Sequence, residues 1–177
     1  MIDKSMHIPT LETERLILRG YRKDDFPAYA QMWATPEVVR YINGTPLTEE
    51  EAWTKFLRIA GQWPVLGYSF FAVEEKSSGR FIGETGFIEG MRDIEPSLKG
   101  IPEMGWSLSP KVHGKGYAFE AASAARDWGE RHFGKRPFRC IISPENESSI
   151  KLATKLGFRE LTRTTFKGKP TIMFERP

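Results

Sequence analysis

A short glycine-containing segment, residues 111–118, carries the residue types best suited to binding a ligand. It has the sequence KVHGKGYA and lies between a predicted strand and a predicted helix. Gly114 and Gly116 allow a tight turn and a close backbone approach to a ligand, because neither has a Cβ atom. The following helix directs unpaired N–H groups and its positive dipole end to the same place. These features suit a pyrophosphate, although a simple tight turn would also explain the two glycines.

A second polar segment, residues 143–149, has the sequence SPENESS and connects a predicted strand to a predicted helix. Asn146 is predicted to be the N-cap of that helix, and capping alone would account for its presence. Polar groups at this position also lie at the C-terminal edge of a sheet, where ligands commonly bind in α/β folds. The sequence therefore contains two polar segments that one ligand could contact.

The alternation and spacing of apolar residues predict the elements that position these two segments. Strands are predicted at residues 14–21, 68–75, 80–89, 103–109, 138–143, 158–166 and 171–175. Helices are predicted to begin at Asp24 and at Thr48, the latter ending near Gly61 and Pro64, and to span about 114–131 and 147–156, before a cap at Gly157. The loop 91–102 is predicted to be polar and mobile. This order predicts one α/β or α+β domain over residues 1–177.

Composition excludes several classes of protein. The chain has 177 residues, with 26 Lys and Arg, 23 Asp and Glu, and a formal net charge of +3. This length suits one soluble domain with a sizeable core. The single Cys140 excludes an internal disulfide framework and a multi-cysteine zinc site, and we expect no metal. The chain contains neither a membrane-spanning apolar run nor a signal-peptide core in MIDKSMHIPT, so we expect a cytoplasmic protein that binds no membrane.

Positive charge is concentrated in residues 111–139. This segment contains seven Lys or Arg and three acidic residues, a balance of +4 that exceeds the net charge of the whole chain. A solvated helix face would explain this balance, whereas the glycine segment beside it favours an anionic ligand. The overall charge is too small to indicate a nucleic-acid-binding protein.

Three segments, in this order and spacing, resemble the GNAT superfamily of N-acetyltransferases: EMGWSLSP, VHGKGYAFEAA and PENESSIKLATKLGF. The opening TERLILRGYRKDD is similar to the RimJ/RimL-like branch of that superfamily, and the resemblance spans residues 11–174. It implies an α+β fold of the α/β three-layer sandwich type, with a mixed, mostly antiparallel sheet flanked by helices. It also implies a V-shaped splay between strands 103–109 and 138–143, with acetyl-CoA bound there as cosubstrate.

The resemblance also implies which residues contact acetyl-CoA. The loop 113–118 would bind the pyrophosphate, and the backbone of residues 106–109 would pair with the pantetheine arm like an added strand. Family members usually have Gln or Arg at the position of Lys111, and Lys keeps the donor and the charge. The residues implied are Trp106, Leu108, Lys111, His113, Gly114, Lys115, Gly116, Tyr117, Ala118, Asn146 and Ser149.

The reaction implied by the resemblance is direct attack of a primary amine on the thioester in a ternary complex. Such a reaction needs no enzyme nucleophile, so Cys140 is expected to be a buried strand residue. Glu103 is the first candidate for the base, with Glu84 or a water as alternatives. Ser149 is the candidate that protonates the departing thiolate. We expect Asn146→Ala and Ser149→Ala to lower turnover with little loss of stability.

The expected acceptor is a protein N-terminal α-amine. Neutralising an α-amine at pH 7 costs only about 1–1.4 kcal/mol, against roughly 4–5 kcal/mol for a lysine-like amine. The alternatives are a small-molecule amine (amino acid, polyamine or antibiotic), a non-catalytic acyl-CoA-binding module and, least favoured, a nucleic-acid-binding protein. We expect a monomer or homodimer that binds no nucleic acid. The loop 91–102 is expected to act as a lid, and the residues expected to border the acceptor pocket are Trp33, Tyr41, Trp53, Trp63, Phe87 and Trp106.

Overall fold

The computed structural model describes residues 7–177, so residues 1–6 of the predicted domain lie outside the described residues. The strands are β1 Leu11–Glu12, β2 Leu16–Arg19, β3 Phe70–Glu75, β4 Arg80–Ile88, β5 Glu103–Leu108, β6 Phe138–Ile142, β7 Arg159–Phe166 and β8 Lys169–Arg176. The helices are α1 Phe26–Trp33, α2 Pro36–Val39, α3 Glu49–Leu66, α4 Tyr117–Phe133 and α5 Glu147–Lys155. Within the described part of the chain the strands form one sheet in the order β1-β2-β3-β4-β5-β6-β8-β7.

Helices cover both faces of this sheet. Successive side chains of a strand point to opposite faces. In β3, Phe70 packs with Ile59 of α3, whereas Phe71 belongs to the large cluster that contains residues of α4 and α5. A further aromatic cluster, around Tyr29 and Phe56, joins α1 to α3. The sheet therefore has an α4/α5 face and an α1/α3 face.

Strands β5 and β6 separate after a single pair of residues. Their parallel register contains Glu103 opposite Arg139, and the Arg139 N–H donates to the Pro102 carbonyl at 3.1 Å. Strand β5 is paired with β4, by contrast, from Glu103 to Leu108. The sheet thus opens as a V between β5 and β6. This geometry confirms the predicted α+β fold, with its mixed and mostly antiparallel sheet.

Helix α3 is longer than predicted. It continues through Pro64 to Leu66 and ends at Gly67, whose φ of 78° is left-handed. A proline inside a helix removes one N–H donor. The last turn nevertheless forms, because Trp63 is buried and donates its indole N–H to the Phe70 carbonyl at 3.0 Å. Tertiary packing therefore overrides the local helix-breaking preference.

Two other helices begin later than predicted. Helix α4 begins at Tyr117, because Gly114 and Gly116 have left-handed φ angles of 76° and 79° and form the preceding loop. Helix α1 begins at Phe26, because Asp24 lies inside a 3-10 turn and does not cap the helix. In both places a tight turn occupies the residues that the pattern assigned to the helix start.

The loop 91–102 is anchored rather than purely polar. Ile94 and Leu98 are only 6% and 4% exposed, and both pack against Met173 of β8. The Thr164 hydroxyl of β7 also donates to the Glu95 carbonyl at 2.6 Å. The prediction of a purely polar loop is therefore wrong, because Ile94 and Leu98 anchor it against β8, while its role as a lid stays a prediction.

Gly129→Ala tests how closely α4 must approach the sheet. Alanine is favoured over glycine in a helix by about 1 kcal/mol, but a Cβ at position 129 would lie 2.4 Å from the buried Phe87 ring. We expect a net loss of about 1–3 kcal/mol in the free energy of unfolding, measured by urea denaturation. Gly61→Ala in α3 is the matched control, since nothing lies within 4 Å of its added Cβ. Equal stabilisation by both changes would contradict this account of the packing.

Candidate active site

The loop of residues 113–116, here called the glycine loop, leads to free N–H groups at the start of α4. Gly116 is the N-cap residue and, having no side chain, leaves the first turn without a side-chain cap. The N–H groups of Tyr117, Ala118 and Phe119 accordingly have no partner within the helix. His113, Gly114, Lys115 and Gly116 are all exposed. The loop therefore has the donors and the access that a pyrophosphate requires.

Arg15 contacts both this loop and the first turn of α4. Its guanidinium donates to the Lys115 carbonyl at 2.8 Å and to the Glu120 carboxylate at 2.7 Å, and it lies 4.3 Å from the centre of the Tyr117 ring. Glu120 also accepts from the Thr13 hydroxyl at 2.6 Å. These contacts engage Glu120, the acidic residue nearest the helix start, so that the free N–H groups are open to an anion. Arg15 lies about 100 residues before the loop, so no local sequence pattern indicated it.

The predicted concentration of charge around the loop is only partly correct. Lys111 and Lys115 are exposed beside the loop. Helix α4 has 17 residues, a length of about 26 Å. Arg131, Lys135 and Arg136 lie at its other end, while Arg126 pairs with Asp127 and Arg139 pairs with Glu175. The basic residues of segment 111–139 are neighbours in the sequence, but α4 separates Lys111 and Lys115 from the basic residues at its other end.

The edge of β5 that faces the V opening has free backbone groups. The Ser109 N–H donates to the Ile82 carbonyl of β4 at 2.8 Å. Because hydrogen bonding alternates along an antiparallel pair, Trp106 and Leu108 direct their N–H and C=O groups towards the opening. The Leu108 carbonyl accepts from the Nε2 of His113 at 3.0 Å. The backbone of Trp106 remains available to an extended ligand.

The start of α5 lies across the opening from β5. The Asn146 side chain caps α5, accepting from the Ser149 N–H at 3.2 Å and from the Ser148 hydroxyl at 3.1 Å. The indole N–H of Trp106 donates to the Ser149 hydroxyl at 3.2 Å. The structure therefore brings the two polar segments of the sequence together around the V opening. The predicted capping role of Asn146 is confirmed.

Glu84 is a buried carboxylate on the α1/α3 face, beside the same part of β5. It pairs in register with Ser107 and has no exposed surface. Its Oε2 accepts a hydrogen bond from the Tyr21 hydroxyl, and its Oε1 has no partner among residues 7–177. Burial raises the pKa of Glu84, while the charge of Lys55 and the Tyr21 hydrogen bond oppose that rise. Tyr21 is a second residue that sequence patterns did not indicate.

Glu103 has different surroundings. It is 5% exposed, and both of its oxygens accept from Nε of Arg92, at 2.7 and 2.9 Å. It lies opposite Arg139, where β5 and β6 are still paired. Four residues of strand, about 13 Å, separate it from the Ser107 position beside Glu84. Glu103 is thus an ion-paired carboxylate at the closed end of the V.

Cys140 is a buried strand residue, as expected. It is 2% exposed within β6, and burial, together with the charge of Glu103, raises the pKa of its thiol. A thiol nucleophile needs a lowered pKa and an accessible sulfur. Cys140 therefore has neither property of a reactive cysteine.

Three of the six aromatic residues predicted around the acceptor pocket belong to the core, and Tyr41 is half-buried. Trp33, Trp63 and Phe87 are no more than 3% exposed. Phe87 and, at the end of α3, Trp63 pack in the cluster that contains residues of α4 and α5. Trp53 is 37% exposed on α3, and Trp106 contacts α5 instead. Aromatic residue type alone did not distinguish pocket from core.

Residues 7–177 have neither a metal-binding cluster nor a helix that could span a membrane. They contain no group of three or more His, Cys, Asp or Glu side chains placed to hold a metal ion. Within the same range, every helix is too short or too polar to cross a membrane.

Comparisons with known proteins agree with this geometry. The family model described as Acetyltransferase (GNAT) domain matches residues 15–159. The N-acetyltransferase p20 of Bacillus licheniformis is 33% identical over 152 residues, which cover 85% of this chain and 83% of that protein. The structure of an acetyltransferase from Agrobacterium tumefaciens str. C58 is similar with a TM-score of 0.81 at 29% identity, covering 97% of this chain and 95% of that chain.

Two more distant structures share the fold. RimL, a ribosomal L7/L12 alpha-N-protein acetyltransferase, has a TM-score of 0.76 at 16% identity, with 99% of this chain and 98% of that chain covered. The spermidine N-acetyltransferase of Vibrio cholerae has a TM-score of 0.72 at 17% identity, with 92% and 95% covered. One acts on a protein and the other on a small molecule, so the fold alone does not define the acceptor.

The chain belongs to the GNAT family of acetyltransferases. It is an acetyl-CoA-dependent acyltransferase, and the uncapped start of α4 with the free edge of β5 fits that cosubstrate. The loop 113–118 has exposed residues and free N–H donors, which suit a pyrophosphate, and the free backbone groups of Trp106 suit an extended ligand.

Arg15→Met tests the support of the cofactor loop. Loss of its charged hydrogen bonds should raise the KM for acetyl-CoA about 5- to 30-fold, with a smaller change in kcat, because the loop loses its preformed geometry. Steady-state kinetics with varied acetyl-CoA measure this split. Arg131→Met, an exposed arginine at the far end of the same helix, removes the same charge and should leave the KM unchanged. A KM unaffected by Arg15→Met would contradict the positioning role.

Variants at the start of α5 separate stability from turnover. Ser149→Ala should lower kcat by about tenfold or more, because it removes a hydroxyl proton donor. Ser148→Ala is the matched control and should retain activity.

Because Asn146 caps α5, Asn146→Ala should cost about 1 kcal/mol of unfolding free energy, more than the small loss of stability expected from the sequence. Thermal melting and thiol-release kinetics measure the two effects, and full kcat in Ser149→Ala would exclude it as the donor.

Proposed function

We propose that the protein acetylates a primary amine by direct attack in a ternary complex, with Glu84 as the base that receives the proton of the amine. Acetyl-CoA supplies the acetyl group as a thioester. The observation that carries the proposal is the buried Glu84 carboxylate, which has one unpartnered oxygen beside the open part of β5. The residues that bind the cosubstrate lie on the α4/α5 side of the same opening.

Direct attack is supported by the state of the cysteine. Covalent catalysis needs an accessible, activated nucleophile. Cys140 is buried and the pKa of its thiol is raised. The amine of the acceptor itself is therefore the nucleophile in this proposal, and the protein contributes by positioning, which can supply on the order of 7–11 kcal/mol.

The pKa of Glu84 suits the removal of a proton from an ammonium group. A base is most effective when its pKa lies near the operating pH. Burial moves the pKa of Glu84 upward in that direction. In the proposal, Oε1 of Glu84 accepts the proton, and the neutral amine then attacks.

Glu103 remains the alternative base predicted from the sequence. Its pairing with Arg92 and its place at the closed end of the V favour a structural role instead. Both oxygens of Glu103 are already engaged by Arg92, whereas Oε1 of Glu84 has no partner among residues 7–177. These contacts support Glu84 over Glu103.

Ser149 is proposed to protonate the departing thiolate. Its hydroxyl oxygen accepts a hydrogen bond from the Trp106 indole. Its own proton is therefore free to be donated towards the V opening. Backbone N–H groups of β5 at Trp106 and Leu108 are in place to polarise the carbonyl of the thioester.

A protein N-terminal α-amine is the proposed acceptor, and a small-molecule amine is the alternative. An α-amine needs little help to lose its proton, as the α-amino pKa of about 7.7–8.0 indicates. Lys55 and Arg58 carry positive charge near Glu84, which opposes the binding of a polyamine. A non-catalytic acyl-CoA-binding module is less favoured, because it gives no role to the unpartnered carboxylate.

Glu84→Gln tests the base directly. It should lower kcat by about 100-fold or more at neutral pH, because the amide cannot accept the proton, while the KM for acetyl-CoA stays the same. Thiol release over a panel of amines measures kcat, and calorimetry with acetyl-CoA confirms that the variant still binds it. Glu103→Gln is the matched comparison. A larger loss of kcat in Glu103→Gln than in Glu84→Gln would return the role of base to Glu103.

The pH profile gives a second test of Glu84. The base must be deprotonated, so kcat/KM should fall as the pH drops through the raised pKa of Glu84, above the ordinary range of a glutamate. Tyr21→Phe removes a hydrogen bond that lowers this pKa, so the acid limb of the profile should move to higher pH. An acid limb that does not move in Tyr21→Phe would separate Glu84 from the rate-determining proton transfer.

A further inference from the structure

The α1/α3 face contains buried polar atoms that the fold leaves without partners. The hydroxyl of Tyr29, the indole N–H of Trp33 and Oε1 of Glu84 have no hydrogen-bond partner within residues 7–177. All three residues are at most 3% exposed. Buried polar groups are normally hydrogen-bonded, since an unpaired one costs about 1–3 kcal/mol. Two of these groups can donate and one can accept, so together they suit a polar ligand.

Lys55 connects this buried group to the surface. Its ammonium lies 4.3 Å from the centre of the Trp33 ring, and its charge acts on Glu84. Burial lowers the pKa of Lys55, and the charge of Glu84 opposes that effect. In the described part of the chain, Lys55 has no carboxylate within 4.0 Å. Lys55 therefore feels the charge of Glu84 but forms no direct ion pair, so its ammonium can still bind an anion directly.

Lys55 also lines a surface cavity of about 390 Å³ beside α3. Its lining residues are Leu47, Glu50, Glu51, Thr54, Lys55 and Arg58. The carboxylate of Glu51 is already engaged, since it accepts from the Thr48 N–H at 2.8 Å in the cap of α3. Arg58 is exposed and, among residues 7–177, forms no ion pair. The two cations of the lining therefore face the cavity, and Glu50 is the one acidic side chain of the lining outside the cap.

We propose that the acceptor carries a carboxylate close to its amine, and that Lys55 and Arg58 bind this carboxylate while Glu84 receives the proton of the amine. The inference rests on the proposed function and deepens it, by naming the chemistry of the acceptor. The carboxylate is either that of an amino-acid-like small molecule or the acidic side chain of a peptide N-terminus.

Acceptor pairs that differ only in this carboxylate test the inference. One arm compares α-amino acids with their α-carboxamides, and the other compares peptides that begin with Asp or Glu with those that begin with Asn or Gln. We expect at least about tenfold higher kcat/KM for the anionic member in one arm, and that arm identifies the source of the carboxylate. Spermidine is included as a cationic acceptor and should be the poorest substrate.

Variants then assign the preference to the two cations. Arg58→Gln should raise the KM of the anionic acceptor about tenfold and bring the ratio within each pair close to one, without changing the KM for acetyl-CoA. Lys55→Met should do the same, and its kcat is compared above the acid limb because Lys55 also lowers the pKa of Glu84. Arg131→Gln is the charge control on the far end of α4 and should retain the preference.

The outcomes distinguish this inference from the function on which it rests. Turnover of neutral or cationic amines at least as fast as of their anionic partners would overturn the inference and leave the acetyltransferase proposal in place. A preference that survives in both Arg58→Gln and Lys55→Met would also overturn it. If folded protein binds acetyl-CoA but acetylates no amine in any arm, both proposals fail.

Discussion

The separation of β5 from β6 leaves half of a central strand without a partner on one side. A strand that is paired on both sides has no backbone groups left for a ligand, whereas β5 is paired throughout with β4 and with β6 only at Glu103. Trp106 consequently presents N–H and C=O groups that need partners, and Leu108 presents its N–H, since its carbonyl accepts from His113. The glycine loop continues from this same edge and leads directly into the uncapped start of α4. The binding groups thus converge on the unpaired half of one strand.

The two faces of the sheet carry different polar groups around this opening. The loop, α4 and α5 form the α4/α5 face, where the donors for the cosubstrate lie. Glu84 lies on the α1/α3 face, paired with Ser107 of the open half of β5. Burying a carboxylate is costly, and here a hydrogen bond from Tyr21 and the positive charge of Lys55 offset part of that cost. A buried base with a raised pKa is thereby held one strand away from the free backbone edge.

Local patterns predicted much of the fold. The strands, α4 and α5 appear close to their predicted positions, because alternation, glycine and capping residues act over a few neighbouring positions. The end of α3 was missed, since the burial of Trp63 holds a turn that Pro64 would otherwise break. The loop 91–102 was also misjudged, because Ile94 and Leu98 find their partner only in β8. These two errors concern segments whose conformation depends on distant residues, whereas the starts of α1 and α4 were displaced by local turns.

The sequence by itself determined the family, the cosubstrate loop and the polar start of α5, since these depend on short motifs with local geometry. Only the tertiary structure distinguished Glu84 from Glu103 and brought Arg15, Tyr21 and Lys55 to the site. Both glutamates occupy predicted strands, but the pairing of β4 with β5 puts one beside the opening, and Arg92 neutralises the other. The role of a carboxylate depends on its burial and on the charges that surround it. Those surroundings come from strands and helices far apart in the chain.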